Sequence, residues 1–221
     1  MPESFVLIHL DVSVEFPRTP PRGTGITGHR VTSVAVTLLD GMPVVSAPDV
    51  FCQLATILSG PDLVAVGDRF VTGRRVGGIR AQARCQLDDL RAAAWRHRGK
   101  RGAASAAWAL ERVRSGVDSR PETWLRLLLV DAGLPEPDLD VEVDVGSGMR
   151  LHPDLALSRW RIAFEYEGDG HRVSARTWRR DIERRELFEA AGWHVIRVTA
   201  DDVFRQAESF VARVRRIITA R

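Results

Sequence analysis

The sequence contains little lysine, little cysteine and no long apolar run. Lys100 is the only lysine among 32 basic residues, so arginine takes nearly every cationic role, and its guanidinium suits phosphate contacts. Cys52 and Cys85 lack the spacing of metal ligands and are predicted to be buried free thiols. No run of 18 or more apolar residues occurs, which excludes a transmembrane helix of ordinary length. Because both thiols are predicted to be buried and free, neither cysteine is expected to carry chemistry.

The composition is typical of an ordered protein with room for two small domains. Of 221 residues, 44% are hydrophobic and 28% are charged, which fits a soluble, folded chain. Residues 1–16 carry acids where a secretory signal would carry basic residues before an apolar core, so a cytoplasmic protein is expected. The formal net charge of +3 permits nucleic-acid binding without requiring it, because a local patch matters more than the total.

The first half, residues 1–116, is predicted to be an α+β domain. Apolar and polar residues alternate over 5–14, and a second run over 29–38 resumes after Asp40-Gly41 as a hairpin. The turn over 96–101 (RHRGKR) is either a solvated loop or a contact for a phosphate backbone. Helical spacing follows Ser46 and recurs over 63–71, 87–97 and 103–114.

The second half, residues 117–221, is predicted to be an α/β domain with the element order αβββαβα. Ser119, Pro121 and Glu122 supply the N-cap, first-turn proline and capping-box acid of a helix that runs to Gly133. The other elements are a three-stranded meander over 141–145, 155–157 and 161–166, a helix over 175–191, a strand over 194–199 and a last helix to about residue 218.

Three carboxylates of the second half are predicted to converge. Glu165 and Glu167 are two residues apart on a strand, so they project from the same face, and pairing with the preceding strand brings Asp154 beside them. Such carboxylates repel one another unless a cation lies among them, which favours a divalent-metal site for Mg²⁺ or Mn²⁺. A metal ion that activates water near a phosphodiester performs nuclease chemistry.

These residues resemble the core of PD-(D/E)XK nucleases, which have a restriction-endonuclease-like αβββαβ fold. Pro153-Asp154 is followed, eleven residues after the aspartate, by Glu165 and Glu167, and Glu167 replaces the motif lysine. Very-short-patch repair endonucleases also lack that lysine and use a histidine near this position. His171 matches it, so the resemblance implies phosphate binding or proton transfer there; otherwise His171 is a surface loop residue.

Residues 119–221 also resemble the C-terminal domain of actinobacterial proteins in the domain-of-unknown-function 559 group. The resemblance lies in SRPETWLRLLLVDAGLPEP, HPDLAL, FEYEGDGHR and RRDIERRELFEAAGWHVIRVT, in that order. It implies that Glu122 faces the metal cluster as an auxiliary acid; alternatively, Glu122 is simply the capping-box acid.

The resemblance also implies contacts to DNA phosphates. Arg172, Arg180 and Arg184 are the arginines that it places beside the metal. The alternative is an ordinary surface helix, on which Asp181 and Arg185 pair at i, i+4 spacing.

The first half resembles the middle region of the same family, in TPPRGTGITGHR and VSAPDVFCQLATIL. It is expected to act as a recognition or partner-docking module with an antitoxin-like character. Family members often begin with a winged-helix segment related to abortive-infection antitoxins, and this chain is expected to start after that segment.

The sequence thus predicts a metal-dependent DNA endonuclease acting in phage defence or DNA repair. A second hypothesis is a catalytically inactive nuclease fold that serves as a DNA-binding regulator or antitoxin-like protein, because Glu167 replaces the lysine. A third is an acidic face that binds a structural ion in a chain acting through protein partners. The expected partners are DNA and either a second copy of the chain or a toxin–antitoxin or defence partner, with no membrane.

Overall fold

The computed structural model of the protein describes residues 9–76, 79–168 and 175–221. Contacts divide the chain into two units. The N-terminal unit comprises Met1–Val71 and Ala83–Val113, and the C-terminal unit comprises Thr72–Gln82 and Arg114–Arg221. The sequence places residues 72–82 in the first domain, whereas their contacts lie in the second unit. The functions predicted for domains 1–116 and 117–221 stay predictions.

The N-terminal unit is built from short strands followed by helices. Ser46 begins the first helix as its N-cap, since its side chain accepts a hydrogen bond from the Asp49 backbone and proline occupies the first turn. The predicted turn at Asp40-Gly41 joins two antiparallel strands, as expected. The elements are β1 (Leu10–Glu15), β2 (Ile26–Val31), β3 (Val36–Leu39), β4 (Met42–Val45), α1 (Ala47–Leu54), α2 (Gly60–Thr72), α3 (Leu87–Arg96) and α4 (Ala103–Leu110).

Helices α1 to α4 enclose the core of the N-terminal unit. Phe51, Leu63 and Leu90 are fully buried, and Cys52 is buried beside them. A Cβ atom at Gly60 would lie 2.7 Å from the Trp108 ring, so glycine lets α2 approach that side chain closely. Apolar periodicity therefore predicted these helices correctly, because each one has a single buried face.

The C-terminal unit contains a small sheet between helices. Ser119 caps α5 as predicted, with its side chain accepting a hydrogen bond from the Glu122 backbone. The elements are β5 (Arg75–Val76), β6 (Ile79–Arg80), α5 (Arg120–Asp131), β7 (Val143–Asp144), β8 (Arg150–Leu151), β9 (Leu155–Leu157), a 3₁₀ turn (Ser158–Trp160), β10 (Ile162–Glu167), α6 (Ala175–Ala190), β11 (His194–Thr199), α7 (Ala200–Phe204) and α8 (Ala207–Thr219).

The sheet has the strand order β11-β10-β9, with β10 parallel to β11 and antiparallel to β9. Alternation along β10 gives its two faces different roles. Ile162 and Phe164 are fully buried in a core with side chains of α5, β11 and α8. Glu165 and Glu167 project from the other face, the face on which Arg184 of α6 meets Glu165. One face of β10 therefore packs in the apolar core, and the other carries the ion pair between Glu165 and Arg184 of α6.

Two parts of the C-terminal unit differ from the sequence-based expectation. The predicted meander is interrupted, because β7 pairs with β8 in a separate two-stranded ribbon and with no other strand of the described residues. Val143 is the buried residue of β7, while Asp144 is exposed, so this segment has little apolar surface to bury in the main sheet. The predicted last helix is divided into α7 and α8 near Arg205 and Gln206. A mixed α/β class is confirmed at this level.

No helix within the described residues is both long and apolar enough to cross a membrane.

Candidate active site

Asp154 lies in the segment between β8 and β9, directly after the buried Pro153. Its Oδ2 atom accepts a hydrogen bond of 2.7 Å from the backbone N–H of Tyr166, which fixes the carboxylate against β10. The sequence predicted that strand pairing would bring Asp154 to Glu165. The structure brings them together, because β9 and β10 pair antiparallel and place both residues at the same end of the sheet.

Glu165 is held by a two-point contact with Arg184. Arg184 donates from Nε to Glu165 Oε2 and from Nη2 to Glu165 Oε1, both at 2.9 Å. The same Nη2 donates to the backbone carbonyl of His152, two residues before Asp154. This arginine therefore links helix α6, strand β10 and the Asp154 segment, a geometry suited to guanidinium and carboxylate. The family resemblance assigns Arg184 to a DNA phosphate, and in this structure Arg184 contacts Glu165 and the carbonyl of His152.

Glu122 approaches the same site from the first turn of α5. Its side chain is only 6% exposed, and its Oε2 accepts a 2.9 Å hydrogen bond from the Asp118 backbone. The negative charge of Asp154 acts on it directly. The position near Asp154 fits the auxiliary acid. Ser119 caps the helix through the Glu122 backbone N–H, whereas the Glu122 side chain accepts from the backbone of Asp118, the residue before the N-cap.

Burial and mutual repulsion shift the titration of two of these carboxyls. Burial, together with the charge of Asp154, raises the pKa of Glu122 to about 8. Burial and the charge of Glu165 likewise raise the pKa of Asp154 to about 6. The Asp154 carboxylate therefore interacts electrostatically with both Glu122 and Glu165. Deeply placed carboxyls with raised pKa values are common at functional sites.

Glu167 is engaged elsewhere. Its carboxylate pairs with Arg197 of the neighbouring strand β11, and both side chains are at least one-third exposed. The predicted cluster of Asp154, Glu165 and Glu167 therefore differs from the arrangement observed, in which Glu122 joins Asp154 and Glu165. Within residues 9–76, 79–168 and 175–221, no group of three or more histidine, cysteine, aspartate or glutamate side chains is arranged to hold a metal ion.

Asp154 and Glu165 nevertheless have the chemistry that a divalent cation requires. Carboxylate oxygens are the ligands that Mg²⁺ and Mn²⁺ prefer. The raised pKa values of Glu122 and Asp154 identify a place where added positive charge would be stabilising. In the structure described, Arg184 supplies that charge. Asp154 and Glu165 are therefore residues of the type that holds such an ion, whereas Arg184 occupies the Glu165 oxygens that an ion would share.

A charged network supports the Glu122 side of the site. Arg80 donates to Asp118 Oδ1 at 2.6 Å, and Arg75 and Arg80 both contact Asp140. Asp118 is the residue whose backbone N–H donates to Glu122. The β5–β6 hairpin thus holds Asp118 and Asp140, and Asp118 in turn contacts Glu122. Strands of two residues have too little periodicity for the sequence to predict this contact.

His152 is a further residue that the motif analysis missed. Its Nδ1 is buried, lies 3.9 Å from Asp140 Oδ1 and has no hydrogen-bond partner among the residues that the structure describes. Its Nε2 lies 3.8 Å from Glu142 Oε1. In the sequence, the position of His152 directly before Pro153-Asp154 is the signal that could have identified it.

The other residues predicted for the site lie outside the described residues or on the exposed surface of α6. His171 and Arg172 lie outside the described residues. Arg180 is exposed on α6. Arg185 contacts Glu189 at 3.5 Å on the same helix, so the surface pair forms one turn later than the predicted pair with Asp181.

Comparisons with known proteins give relatives without an assigned activity. Two Mycobacterium tuberculosis proteins, named Uncharacterized protein MT2308 (strain CDC 1551 / Oshkosh) and Uncharacterized protein Rv2248 (strain ATCC 25618 / H37Rv), are each 29% identical over 133 residues. The match covers 60% of this chain and 49% of each relative, so the chain spans about half the length of the curated relatives it matches. No family model matches the chain. No solved structure matches it either.

Proposed function

We propose that this protein is a metal-dependent DNA endonuclease whose active site is built on Asp154 and Glu165. The observation that supports it is the convergence of Asp154, Glu165 and Glu122 from three separate elements at one end of the sheet. Burying carboxylates that repel one another is energetically costly, and groups with such raised pKa values are common at functional sites. The resemblance to PD-(D/E)XK and very-short-patch repair nucleases points to the same aspartate and the first glutamate.

Each residue has a distinct role in this proposal. Asp154 and Glu165 would hold a Mg²⁺ or Mn²⁺ ion, which lowers the pKa of coordinated water and neutralises phosphodiester charge. Glu122 holds a proton near neutral pH beside Asp154, on the carboxyl whose Oε2 accepts from Asp118. Arg184 orients Glu165 and places a positive charge beside the position of a phosphate. Arg180 on the exposed face of α6 is assigned to the DNA backbone.

Plasmid cleavage tests the proposal. Supercoiled DNA is incubated with the full chain and Mg²⁺, Mn²⁺ or a chelator, and nicked and linear forms are quantified. Cleavage is expected with either ion and not with the chelator. Asp154→Asn, which keeps the side-chain shape, should lower the rate by at least about a hundredfold, since ion binding supplies several kcal/mol of transition-state stabilisation.

The control is Glu186→Gln, which neutralises an exposed acid on α6 and should leave cleavage unchanged. Circular dichroism establishes that both variants are folded. Metal-dependent cleavage that survives Asp154→Asn would remove Asp154 from the site, and cleavage in chelator would remove the metal from the reaction.

One observation favours a second candidate function, a nuclease fold that binds DNA without cutting it. Arg184 takes both oxygens of Glu165, and Arg197 pairs with Glu167, so both strand carboxylates already have cationic partners. Such a regulator would bind DNA in chelator, with an affinity that falls steeply with salt. Binding under those conditions together with no cleavage under any metal would favour it, whereas binding that requires metal would exclude it.

A further inference from the structure

The turn between α3 and α4 carries three exposed cations. Arg98, Lys100 and Arg101 are all exposed. None of them makes an ion pair within the part of the chain that the structure describes, whereas the neighbouring Arg96 lies 3.4 Å from the buried Asp49. Residues 96–101 contain no apolar side chain. This turn therefore presents positive charge that no carboxylate in the described structure neutralises.

Trp95 lies at the base of this turn and is 67% exposed. The guanidinium of Arg98 lies 4.0 Å from the centre of its indole ring, and Arg98 Nη1 donates to the Trp95 carbonyl at 3.0 Å. Arg98 is thus fixed against one face of the ring, a cation–π arrangement. Most of the tryptophan surface remains accessible to solvent.

Trp95 differs from the other tryptophans whose packing the structure describes. Trp108 also has an arginine on its ring, Arg112 at 4.2 Å, but it packs against Gly60. Trp124 and Trp160 pack against the core of the C-terminal unit. Packing therefore explains those three residues and leaves the exposure of Trp95 unexplained.

We propose that Trp95, Arg98, Lys100 and Arg101 form a binding site for single-stranded nucleic acid. An unpaired base would stack on the indole, and the three cations would pair with flanking phosphates, the combination by which proteins bind single strands without reading sequence. A duplex offers phosphates but no free base face, and a turn without apolar side chains has nothing beyond Trp95 to insert into a lipid surface. The site lies in the N-terminal unit and goes beyond the proposed nuclease.

Binding of short oligonucleotides in chelator tests this proposal independently of cleavage. The probe is a fluorescent 12-nucleotide oligothymidylate, with oligouridylate and a duplex of the same length beside it. Trp95→Ala should weaken oligothymidylate binding about tenfold, within the range for loss of one stacked base. Its affinity for the duplex should change less than twofold.

Phe16→Ala is the matched control. Phe16 is 69% exposed in the same unit and has Arg30 at 5.9 Å from its ring, but it lies outside the basic turn. Its loss should leave oligonucleotide binding unchanged. Thermal unfolding should be the same for both variants, because neither ring is buried.

A triple variant, Arg98→Gln with Lys100→Gln and Arg101→Gln, tests the cations. The slope of log affinity against log salt should fall by roughly 0.7 for each single-strand phosphate that the variant no longer neutralises. Oligothymidylate binding that is unaffected by Trp95→Ala would overturn the proposal. Trp95-dependent binding to phosphatidylglycerol vesicles, with no binding to oligonucleotides, would overturn it in favour of a lipid surface.

Discussion

Asp154 is the central acid of the candidate site, because its charge acts on Glu122 and the charge of Glu165 acts on it. Its carboxylate is anchored by one backbone hydrogen bond from Tyr166 and interacts electrostatically with two other acids, Glu122 and Glu165. Arg184 compensates part of this negative charge through Glu165. Burial first, and the neighbouring negative charges second, raise the pKa values of Glu122 and Asp154.

Replacing Glu122 with glutamine should stabilise the protein at alkaline pH. The ordinary pKa of 4.5 is raised to about 8 in the folded chain, so between these values the folded state binds more protons than the unfolded state. The free energy of unfolding contributed by Glu122 therefore falls as pH rises through that window. Glutamine keeps the acceptor for the Asp118 N–H and has no charge. At pH 8.5 we expect a gain on the order of 3 kcal/mol, and at pH 5 little difference.

Urea unfolding of both chains at pH 5 and pH 8.5 measures this effect. Glu186→Gln, on the exposed surface of α6, should show no comparable pH-dependent gain. An equal effect of Glu122→Gln at both pH values would show that the buried carboxyl does not carry the predicted charge.

Sequence reasoning predicted part of this site, and the reason is local. The alternation of β10 places Glu165 and Glu167 on one face whatever surrounds the strand. The partners of those residues depend on long-range packing: Arg197 reaches Glu167 from strand β11, and Arg184 reaches Glu165 from a helix 19 residues away. The sequence therefore predicted that Glu165 and Glu167 share one face of their strand, and it could not assign their cationic partners.

Helix α6 is fixed to the sheet through a polar contact as well as an apolar one. Phe188 is fully buried, and one turn earlier Arg184 contacts Glu165 and the carbonyl of His152. The amphipathic pattern predicted the helix over 175–191, and the observed helix ends at Ala190. The family resemblance assigned Arg184 to DNA phosphates, and the amphipathic pattern alone could not assign its partner, because a hydrophobic period does not distinguish a solvated arginine from one that meets a partly buried carboxylate.

Arg184→Gln should destabilise the C-terminal unit by about 2 kcal/mol, because it leaves Glu165 without its two-point partner in a partly buried position. Arg180→Gln on the exposed face of the same helix should change stability by less than about 0.5 kcal/mol. Urea unfolding monitored by circular dichroism measures both. Equal effects of the two substitutions would show that the Glu165 contact contributes no stability.

At the scale of the molecule, the C-terminal unit is discontinuous in sequence. The β5–β6 hairpin is separated from the rest of its unit by residues 83–113, which belong to the N-terminal unit. Arg75 and Arg80 attach the hairpin to Asp118 and Asp140. The Gly-Val-Asp-Ser stretch over 116–119, between two helical patterns, predicted a division near residue 116. The return of residues 72–82 depends on ion pairs between distant residues, which no local pattern indicates.

Removing both hairpin arginines should loosen the start of α5. In the double variant Arg75→Gln, Arg80→Gln, Asp118 loses the partners that hold it beside Glu122. Amide hydrogen exchange over residues 118–123 should become about tenfold faster, which corresponds to about 1.4 kcal/mol of local stability. Amides of α1 serve as the internal reference and should not change. Unchanged exchange at α5 would show that the hairpin does not support the site.

The ion pairs of the same hairpin can form only late in the synthesis of the chain. Arg80 precedes its partner Asp118 by 38 residues, and Arg75 precedes Asp140 by 65. At roughly 5 to 20 residues per second, the ribosome adds the acidic partners about 2 to 13 s after the arginines. During that interval all of residues 83–113 are made, so the N-terminal unit has its complete sequence before the hairpin can dock. Nascent chains arrested before and after Asp140 should therefore differ in the protease resistance of residues 72–82.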